Sequence, residues 1–306
     1  MGLLLGLDVG GTKTSVVLSD ENFKILKKDV FRTEPQRGFR KFFDELIDRM
    51  RKMLGDSKVD GIGVSIGGPL DSKRGIIYNP PHLPWGTVNV KAELEGVFDV
   101  PIKVEHDAKA CALAEWKLGA GKGSRNMIFL TLGTGLGAGM ILDGRLYRGV
   151  SDSAGEVGHI RVSKEGPVVY GKAGSWEAFC SGKGIAKLAH HMFPGIFAEN
   201  VDTKEIASLA FKGDEHAIEV LKESGRYLGL GLAILIDILN PDTIILGNLS
   251  WRLPEFWLEE ALEVVERESL SNSRRACKIV RCGLKDDLGD LSALIVAESV
   301  WRGIEY

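Results

Sequence analysis

The 306-residue sequence has few cysteines, no long apolar run and no dominant sign of charge. Its four cysteines include no C-x-x-C pair, which is typical of reduced thiols rather than of a disulfide framework. The longest apolar run, residues 228–239, is interrupted by Asp237 and is too short to span a bilayer. The 39 Lys and Arg residues nearly balance the 42 Asp and Glu residues, which argues against nucleic acid as the main partner.

The first residues also lack a targeting signal. No basic segment precedes the apolar residues 3–7, and position 6 is Gly where N-myristoylation requires Ser or Thr. Together with the reduced cysteines, this predicts a cytoplasmic protein. The length predicts about two domains.

Glycine is abundant, with 38 residues that cluster between apolar runs. Clustered glycines indicate tight turns in which the backbone approaches another group closely, usually a ligand. The glycine-rich stretch 119–124 is polar as well and is the best candidate for a domain boundary.

A strand–glycine–strand pattern opens each half of the sequence, at residues 3–18 and 127–142. Strands and helices alternate after each opening, which predicts α/β architecture with two lobes and a cleft between them. The predicted strands are 3–7, 14–18, 25–31, 59–66, 102–105, 127–132, 138–142 and 243–246. The predicted helices are 39–54, 108–118, 185–192, 218–239, 258–268 and 288–304.

The first glycine loop reads DVGGTK at residues 8–13. An acid at the end of a buried strand, followed by two glycines and a hydroxyl, suits phosphate and Mg²⁺. Backbone N–H groups of Gly10 and Gly11 can point at phosphate oxygens, and Asp8 can order a hydrated metal. An ordinary hairpin turn explains a single loop of this kind equally well.

The second loop, TLGTGLGAG at residues 131–139, favours the phosphate interpretation. Glycines at alternate positions weaken the packing of a strand, so a ligand is the better explanation for them. The sequence contains neither a Walker A motif nor a G-x-G-x-x-G motif, so P-loop NTPases, Rossmann dehydrogenases and protein kinases are poor interpretations.

Asp107 stands where a predicted strand gives way to a predicted helix. Helix N-capping is the commoner role of an Asp at such a position. The functional alternative is an ionised carboxylate at the cleft that accepts a hydroxyl proton, since phosphoryl transfer needs positioning, charge neutralisation and one such base.

A third group of polar residues includes Glu156 and His159 in the stretch 155–159, together with Glu177. These side chains suit a ligand with several hydroxyl groups. The stretch 79–85 can add the amide of Asn79 and the aromatic face of Trp85. For the histidine and the tryptophan, a structural role is the more common alternative.

These motifs together resemble the ROK family of sugar kinases and related repressors. The resemblance rests on the DVGGTK loop, Gly67-Gly-Pro69, Glu105-His-Asp-Ala108, the loop 131–139 and Gly155-Glu-Val-Gly-His159, in this order over nearly the whole chain. It implies an α/β, two-lobed actin-like (ribonuclease-H-like) duplicated fold with an interdomain cleft. We expect residues 1–119 with the C-terminal helix 288–306 in the N-terminal lobe, and residues 120–287 in the larger C-terminal lobe.

The resemblance also implies ATP- and Mg²⁺-dependent phosphorylation of a hexose or N-acetylhexosamine, most often at the 6-hydroxyl, as in glucokinases. Asp107 would be the general base, and a homodimer or larger homo-oligomer is expected. The implied sugar-binding residues are Gly67, Asn79, His106, Glu156, His159 and Glu177. The implied ATP- and phosphate-binding residues are Asp8, Gly10, Gly11, Thr12, Lys13, Gly133, Thr134, Gly135 and Gly247, with Asp8 also holding Mg²⁺ through water.

The sequence departs from the family pattern at its zinc motif. Three cysteines that usually bind a structural zinc with the histidine of the Gly-His pair are replaced by Val168, Tyr170 and Ser175. One histidine does not provide the four ligands of tetrahedral zinc, so no structural zinc is expected. Two further departures are His106, where Asn is usual before the base, and Asn248, where a second Gly is common after Gly247.

Three alternatives to a sugar kinase remain. A transcriptional regulator of the same family would carry a helix-turn-helix ahead of the first glycine loop, where this sequence has only seven residues before Asp8. A non-catalytic sugar- or nucleotide-binding protein of the same fold would have no chemical need for Asp107. An enzyme that phosphorylates an amide or an acid is the third.

Overall fold

A computed structural model describes residues 2–306. The chain divides into two compact units. The first contains the chain up to Leu118, residues 145–154 and the C-terminal residues 286–306. The second contains residues 119–144 and 155–285.

Both units are built on strands. In the first half of the chain these are β1 (Leu3–Val9), β2 (Lys13–Asp20), β3 (Ile25–Arg32), β4 (Gly61–Ile66), β5 (Leu70–Asp71), β6 (Ile76–Tyr78), β7 (Thr87–Asn89) and β8 (Ile102–His106). They are followed by β9 (Met127–Leu130), β10 (Ala138–Leu142), β11 (Arg145–Leu146), β12 (Val168–Val169), β13 (Lys172–Ala173), β14 (Thr243–Leu246) and β15 (Lys278–Arg281).

Helices surround these strands. The first unit contains α1 (Phe39–Leu54), α2 (Val90–Glu95) and α3 (Asp107–Leu118). The second contains α4 (Trp176–Cys180), α5 (Gly182–Met192), α6 (Thr203–Phe211), α7 (Glu215–Leu239), α8 (Glu255–Glu268) and α9 (Ser271–Ala276), and α10 (Leu288–Trp301) returns to the first unit. No helix within residues 2–306 is long and apolar enough to cross a membrane.

The main sheet of the first unit has the order β3-β2-β1-β4-β8. β1 pairs antiparallel with β2 and parallel with β4, and β4 pairs parallel with β8. Because parallel strands end at the same edge of a sheet, the residues that follow β1, β4 and β8 lie close together. This edge carries the DVGGTK loop, Gly67 and Asp107.

Helix α10 packs closely on this sheet because β4 contains a glycine that has no side chain to keep the helix away. A β-carbon built on Gly63 would lie 2.2 Å from the backbone oxygen of Ala293 in α10. On the other side, α1 buries an apolar stripe that includes Phe42, Phe43 and Met50. The bounds predicted for this helix from its apolar spacing are confirmed.

The main sheet of the second unit contains β10, β9, β14 and β15 in this order. β9 pairs antiparallel with β10 and parallel with β14, and β14 pairs parallel with β15. The long helix α7 packs against α8, where a β-carbon on Gly225 would lie 2.4 Å from the backbone oxygen of Trp257. The predicted α/β class is confirmed.

Candidate active site

The first glycine loop is the turn between β1 and β2. The Gly10 amide donates to the carbonyl oxygen of Lys13 at 3.0 Å, which closes the turn. A β-carbon on Gly11 would lie 2.9 Å from the β-carbon of His82, so packing against the neighbouring turn already requires glycine there. The side chains of Thr12 and Lys13 are exposed.

Asp8, next to the last residue of β1, has a pKa raised to about 6. Burial is the largest cause, and the negative charges of Asp107 and Asp290 add to it. The charge of Lys13 and the hydroxyl of Ser65 act in the opposite direction. A cation near Asp8 would reduce this repulsion, and a carboxylate oxygen is a suitable acceptor for the water shell of a hydrated Mg²⁺.

Two residues near Asp8 were not expected from the sequence. Asp290 is buried in α10, accepts a hydrogen bond from the Ser15 hydroxyl at 2.7 Å and forms an ion pair with Lys28. A β-carbon on Gly289 would lie 2.3 Å from Oδ2 of Asp8, so glycine at this position makes room for the carboxylate. No local sequence pattern marks either residue, because each meets its partners through the packing of α10 on the sheet.

Asp107 is the first residue of α3. Its Oδ1 accepts a hydrogen bond from the Ala108 amide at 2.6 Å, and its side chain is half exposed. The expected capping role is therefore reduced to one contact with the next residue, which leaves Oδ2 outside that hydrogen bond. A β-carbon on Gly67 would lie 3.9 Å from this Oδ2.

The imidazole of His106 lies beside this carboxylate. Its Nδ1 is 3.2 Å from the Ala108 amide nitrogen, which donates to it, and 3.1 Å from Oδ1 of Asp107. A β-carbon on Gly68 would lie 2.6 Å from the ring, so the ring packs directly on this glycine. Nδ1 thus faces both the Ala108 amide and the Asp107 carboxylate, which leaves Nε2 as the ring nitrogen outside these two contacts.

Within the stretch 79–85, Asn79 and Trp85 lie in different surroundings. Asn79 has a left-handed backbone with φ of 45°, and its backbone N–H donates to the Gly86 carbonyl at 3.1 Å. Trp85 stacks on Phe42 with ring centroids 4.6 Å apart, and its indole N–H donates to the Pro35 carbonyl at 3.1 Å. Trp85 is therefore packed on the core of the first unit.

The second glycine loop connects β9 and β10 and packs on the start of α5. The carbonyl oxygens of Gly133 and Thr134 accept hydrogen bonds from the amides of Gly182 and Lys183 at 2.7 and 3.3 Å. Among the described residues, no atom lies within 4 Å of a β-carbon built on Gly133, and its φ is not positive. Neither packing nor a positive φ requires glycine at 133, and its role in phosphate binding stays a prediction.

Glu177, in α4, joins this loop to the third polar group. Its Oε2 accepts a hydrogen bond from the Leu136 amide at 2.8 Å, and a β-carbon on Gly135 would lie 2.7 Å from the same oxygen. Burial raises the pKa of Glu177, and the charge of Glu156 raises it further, whereas the Leu136 hydrogen bond and the charges of Lys183 and His159 lower it. The second unit thus brings Glu156, His159 and Glu177 near one another.

Gly247 follows β14. A β-carbon here would lie 2.7 Å from both the Leu130 oxygen and the Leu132 nitrogen, so strand packing alone requires glycine. The adjacent Asn248 donates from Nδ2 to the Lys285 carbonyl at 3.0 Å. The role of Gly247 near a nucleotide stays a prediction.

Comparison with known proteins identifies the family. The model of the ROK family matches residues 4–299. The chain belongs to the ROK family. A glucokinase of Halalkalibacterium halodurans is 34% identical over 80% of this chain and 79% of its own length. The ROK family glucokinase from Streptomyces griseus, solved in complex with glucose and AMPPNP, has 29% identity and a TM-score of 0.83, covering 97% of this chain and 100% of that chain.

Another ROK relative has a different activity. A xylose repressor of Bacillus spizizenii is 32% identical over 81% of this chain, and the matched part is 64% of the repressor. The solved glucokinase supports the predicted actin-like fold, which is confirmed. The predicted enzyme class, a sugar kinase, is confirmed at the level of class by the glucokinases.

Two of the three positions of the usual ROK zinc cysteines, Val168 and Tyr170, lie in a hairpin, and the third, Ser175, follows it. β12 and β13 pair antiparallel, with Val168 opposite Ala173, and Tyr170 lies in the turn with φ of 48°. Lys172 donates to the carbonyl oxygen of His159. Among residues 2–306, no group of three or more His, Cys, Asp or Glu side chains is arranged to hold a metal ion. The expectation of no structural zinc stays a prediction.

Proposed function

We propose that this ROK protein is an ATP-dependent hexose or N-acetylhexosamine kinase that phosphorylates the 6-hydroxyl, with glucose as the first candidate. The observation that supports this most is the position of Asp107. Its carboxylate is half exposed at the end of β8, and its charge acts on the buried Asp8. A base beside a cation-binding acid is the combination that phosphoryl transfer to a hydroxyl requires.

In the proposed reaction, the proton of the sugar hydroxyl passes to the carboxylate of Asp107. The hydroxyl oxygen forms a bond with the γ-phosphorus of ATP, the bond from that phosphorus to the β–γ bridging oxygen breaks, and ADP leaves. Backbone amides of the two glycine loops donate to phosphate oxygens. Asp8 would hold Mg²⁺ through water, and the bound cation would supply positive charge against the phosphates.

We propose that the sugar is bound by Glu156, His159, Glu177, Gly67, Asn79 and His106. Carboxylates accept hydrogen bonds from sugar hydroxyls, and those bonds are stronger than neutral ones. His106 replaces an amide with an imidazole, so we propose that one sugar hydroxyl is contacted through Nε2 instead of through an Asn side chain.

The deciding experiment is a coupled assay of ADP release with Mg·ATP across a panel of hexoses and N-acetylhexosamines. We expect clear turnover with one sugar, and at least a hundredfold loss, roughly, in Asp107→Asn with sugar binding kept. Sugar binding is measured by thermal stabilisation. Near-normal turnover in Asp107→Asn would refute the assignment of the base.

The position of transfer is tested with 6-deoxyglucose. This analogue keeps the other hydroxyls, so we expect it to inhibit competitively and to release no ADP. Turnover with the analogue would assign the phosphate to a different hydroxyl.

A second candidate is a sugar-binding protein without catalysis, and the similarity to the xylose repressor supports it. In that case xylose or another sugar would stabilise the protein thermally while no sugar in the panel released ADP. The cytoplasmic location and the homo-oligomeric state remain predictions from the sequence.

A further inference from the structure

Four charged side chains of the first unit form a network around the junction of β8 and α3. They are Glu105, Lys109, Arg148 and Asp152. The side chains of Glu105 and Lys109 are 0% and 2% exposed, so both charges are removed from water. The network contains two acids and two bases, and its net charge is zero.

Glu105 is held by Arg148 in a two-pronged contact. Arg148 donates from Nη2 to Oε2 at 2.6 Å and from Nη1 to Oε1 at 3.1 Å. Oε1 also accepts the His106 amide at 3.0 Å. The planar guanidinium therefore fixes both the position and the orientation of this carboxylate.

Lys109 is held by Asp152. Its ammonium donates to Oδ1 at 2.8 Å and also to the Asp152 backbone carbonyl. The other carboxylate oxygen, Oδ2, accepts the Ser72 amide at 2.8 Å. Burial by itself raises the pKa of Asp152, but the hydrogen bonds from Lys109 and Ser72 outweigh it and set the pKa at about 2.

The backbone conformation at Asp152 limits which residues can supply the partner of Lys109. Its φ is 59°, a left-handed conformation that residues other than Gly, Asn and Asp rarely adopt. The residue thus supplies a carboxylate at a position where glycine is the usual choice. The carboxylate compensates one of the two charges buried beside Asp107.

We propose that Glu105, Lys109, Arg148 and Asp152 are positioning residues that hold Asp107 in place for catalysis. Glu105 and Lys109 are two residues before and two residues after Asp107. The network therefore fixes the backbone on each side of the base, while the base itself stays outside the network. This inference rests on the proposed role of Asp107 as general base.

Asp152→Asn is the sharpest variant. Asn tolerates the left-handed backbone and keeps an acceptor for the Ser72 amide, but it leaves the Lys109 charge uncompensated. With Mg·ATP and the sugar identified by the panel, glucose being expected, we predict that kcat falls about tenfold or more, while the sugar KM changes less than about threefold.

The matched control is Glu298→Gln. It breaks the partly buried ion pair with Lys117, which lies on α3 but ten residues beyond Asp107. We expect a lower Tm with an unchanged kcat. If Glu298→Gln lowers kcat as much as Asp152→Asn at a similar loss of Tm, the network is merely structural and the inference is wrong.

A double-mutant cycle tests whether the effect passes through the base. In an Asp107→Asn background we expect Asp152→Asn to cause no further loss of residual turnover, because a misplaced base and an absent base are equivalent. An equal fold-loss in both backgrounds overturns the inference. So does a rise in sugar KM with kcat unchanged, which would connect the network with binding instead.

If Asp152→Asn does not fold, Arg148→Lys takes its place in the same cycle. It keeps the charge but loses the two-pronged contact, so we expect a severalfold loss of kcat that is absent in the Asp107→Asn background. Normal turnover in Asp107→Asn alone would overturn both this inference and the proposed base. An inactive Asp107→Asn with a fully active Asp152→Asn, or Arg148→Lys, would overturn only the positioning role.

Discussion

The two glycine loops connect antiparallel strands in the same way but differ in charge. The loop after β1 follows Asp8, whose pKa is raised to about 6 by burial and by two neighbouring carboxylates. The loop after β9, residues 131–137, contains no charged residue, and the carboxylate that contacts it comes from Glu177 in α4. The negative charge at the first loop therefore favours a cation, whereas the second loop presents mainly backbone amides.

The glycines of the two loops differ as well. Gly11 is crowded by His82, so its lack of a side chain is already explained within the protein. Gly133 has open space around it, so the fold gives no reason for its lack of a side chain. We therefore expect that Gly11 serves the fold and that Gly133 serves a ligand.

The largest expected effect is on the charged loop. Asp8→Asn keeps the size of the side chain but removes the charge that we propose holds Mg²⁺. We expect kcat/KM for Mg·ATP to fall by about a hundredfold or more, as for the loss of a main electrostatic contact in phosphoryl transfer.

The measurement is the coupled ADP assay over a range of Mg²⁺ concentrations. Asp48→Asn, on the exposed face of α1, serves as control and should leave activity unchanged. Full activity of Asp8→Asn would remove the distinction between a charged and a neutral loop.

A smaller effect is expected for Glu177→Gln. The amide still accepts the Leu136 hydrogen bond, so the second loop keeps its shape, but hydrogen bonds to sugar hydroxyls lose the charge. We expect the sugar KM to rise about tenfold with the KM for ATP unchanged. Glu199→Gln, at an exposed position, is the control. A rise in the KM for ATP instead would assign Glu177 to the phosphate loop.

The glycine comparison is tested with a pair of alanine variants in the second unit. Gly133→Ala should leave the Tm nearly unchanged, because the methyl group meets no atom of the protein. It should raise the KM for ATP severalfold, because the methyl group would occupy space proposed for the phosphates. Gly247→Ala should lower the stability by about 2 kcal/mol or more, because its methyl group meets backbone at 2.7 Å. If both variants lower the Tm equally, the openness of Gly133 has no functional meaning.

The sequence predicted the parts of the fold that depend on local patterns. The apolar spacing of residues 39–54 and the strand–glycine–strand pattern at 127–142 gave the bounds of α1 and β10 without error. Short elements without a strong period were missed. They include α6 and the hairpin of β12 and β13, whose strands have only two residues each.

The sequence also indicated the residues of the candidate site that stand in motifs, including Asp8, Asp107 and Glu177. It did not indicate the charged residues packed around them. Asp290 reaches the Ser15 hydroxyl across 275 positions, and Arg148 reaches Glu105 across 43. Such pairs are created by the packing of α10 and of residues 145–154, and no spacing in the sequence reports them.

A further expected effect, on stability alone, is the influence of pH in the absence of Mg²⁺. The pKa of Asp8 is raised from 3.8 to about 6 by folding, so the folded protein favours the protonated form. Asp8 therefore lowers the stability progressively as the pH rises from about 4 to about 6, and the loss is complete by about pH 7. Asp8→Asn resembles the protonated form at every pH, so it should be the more stable protein at pH 7, by up to about 3 kcal/mol, and should approach wild type at about pH 4 and below. Urea unfolding of both proteins across this range measures the difference, with Asp48→Asn as control. A difference independent of pH would mean that the buried charge of Asp8 is not what separates the first loop from the second.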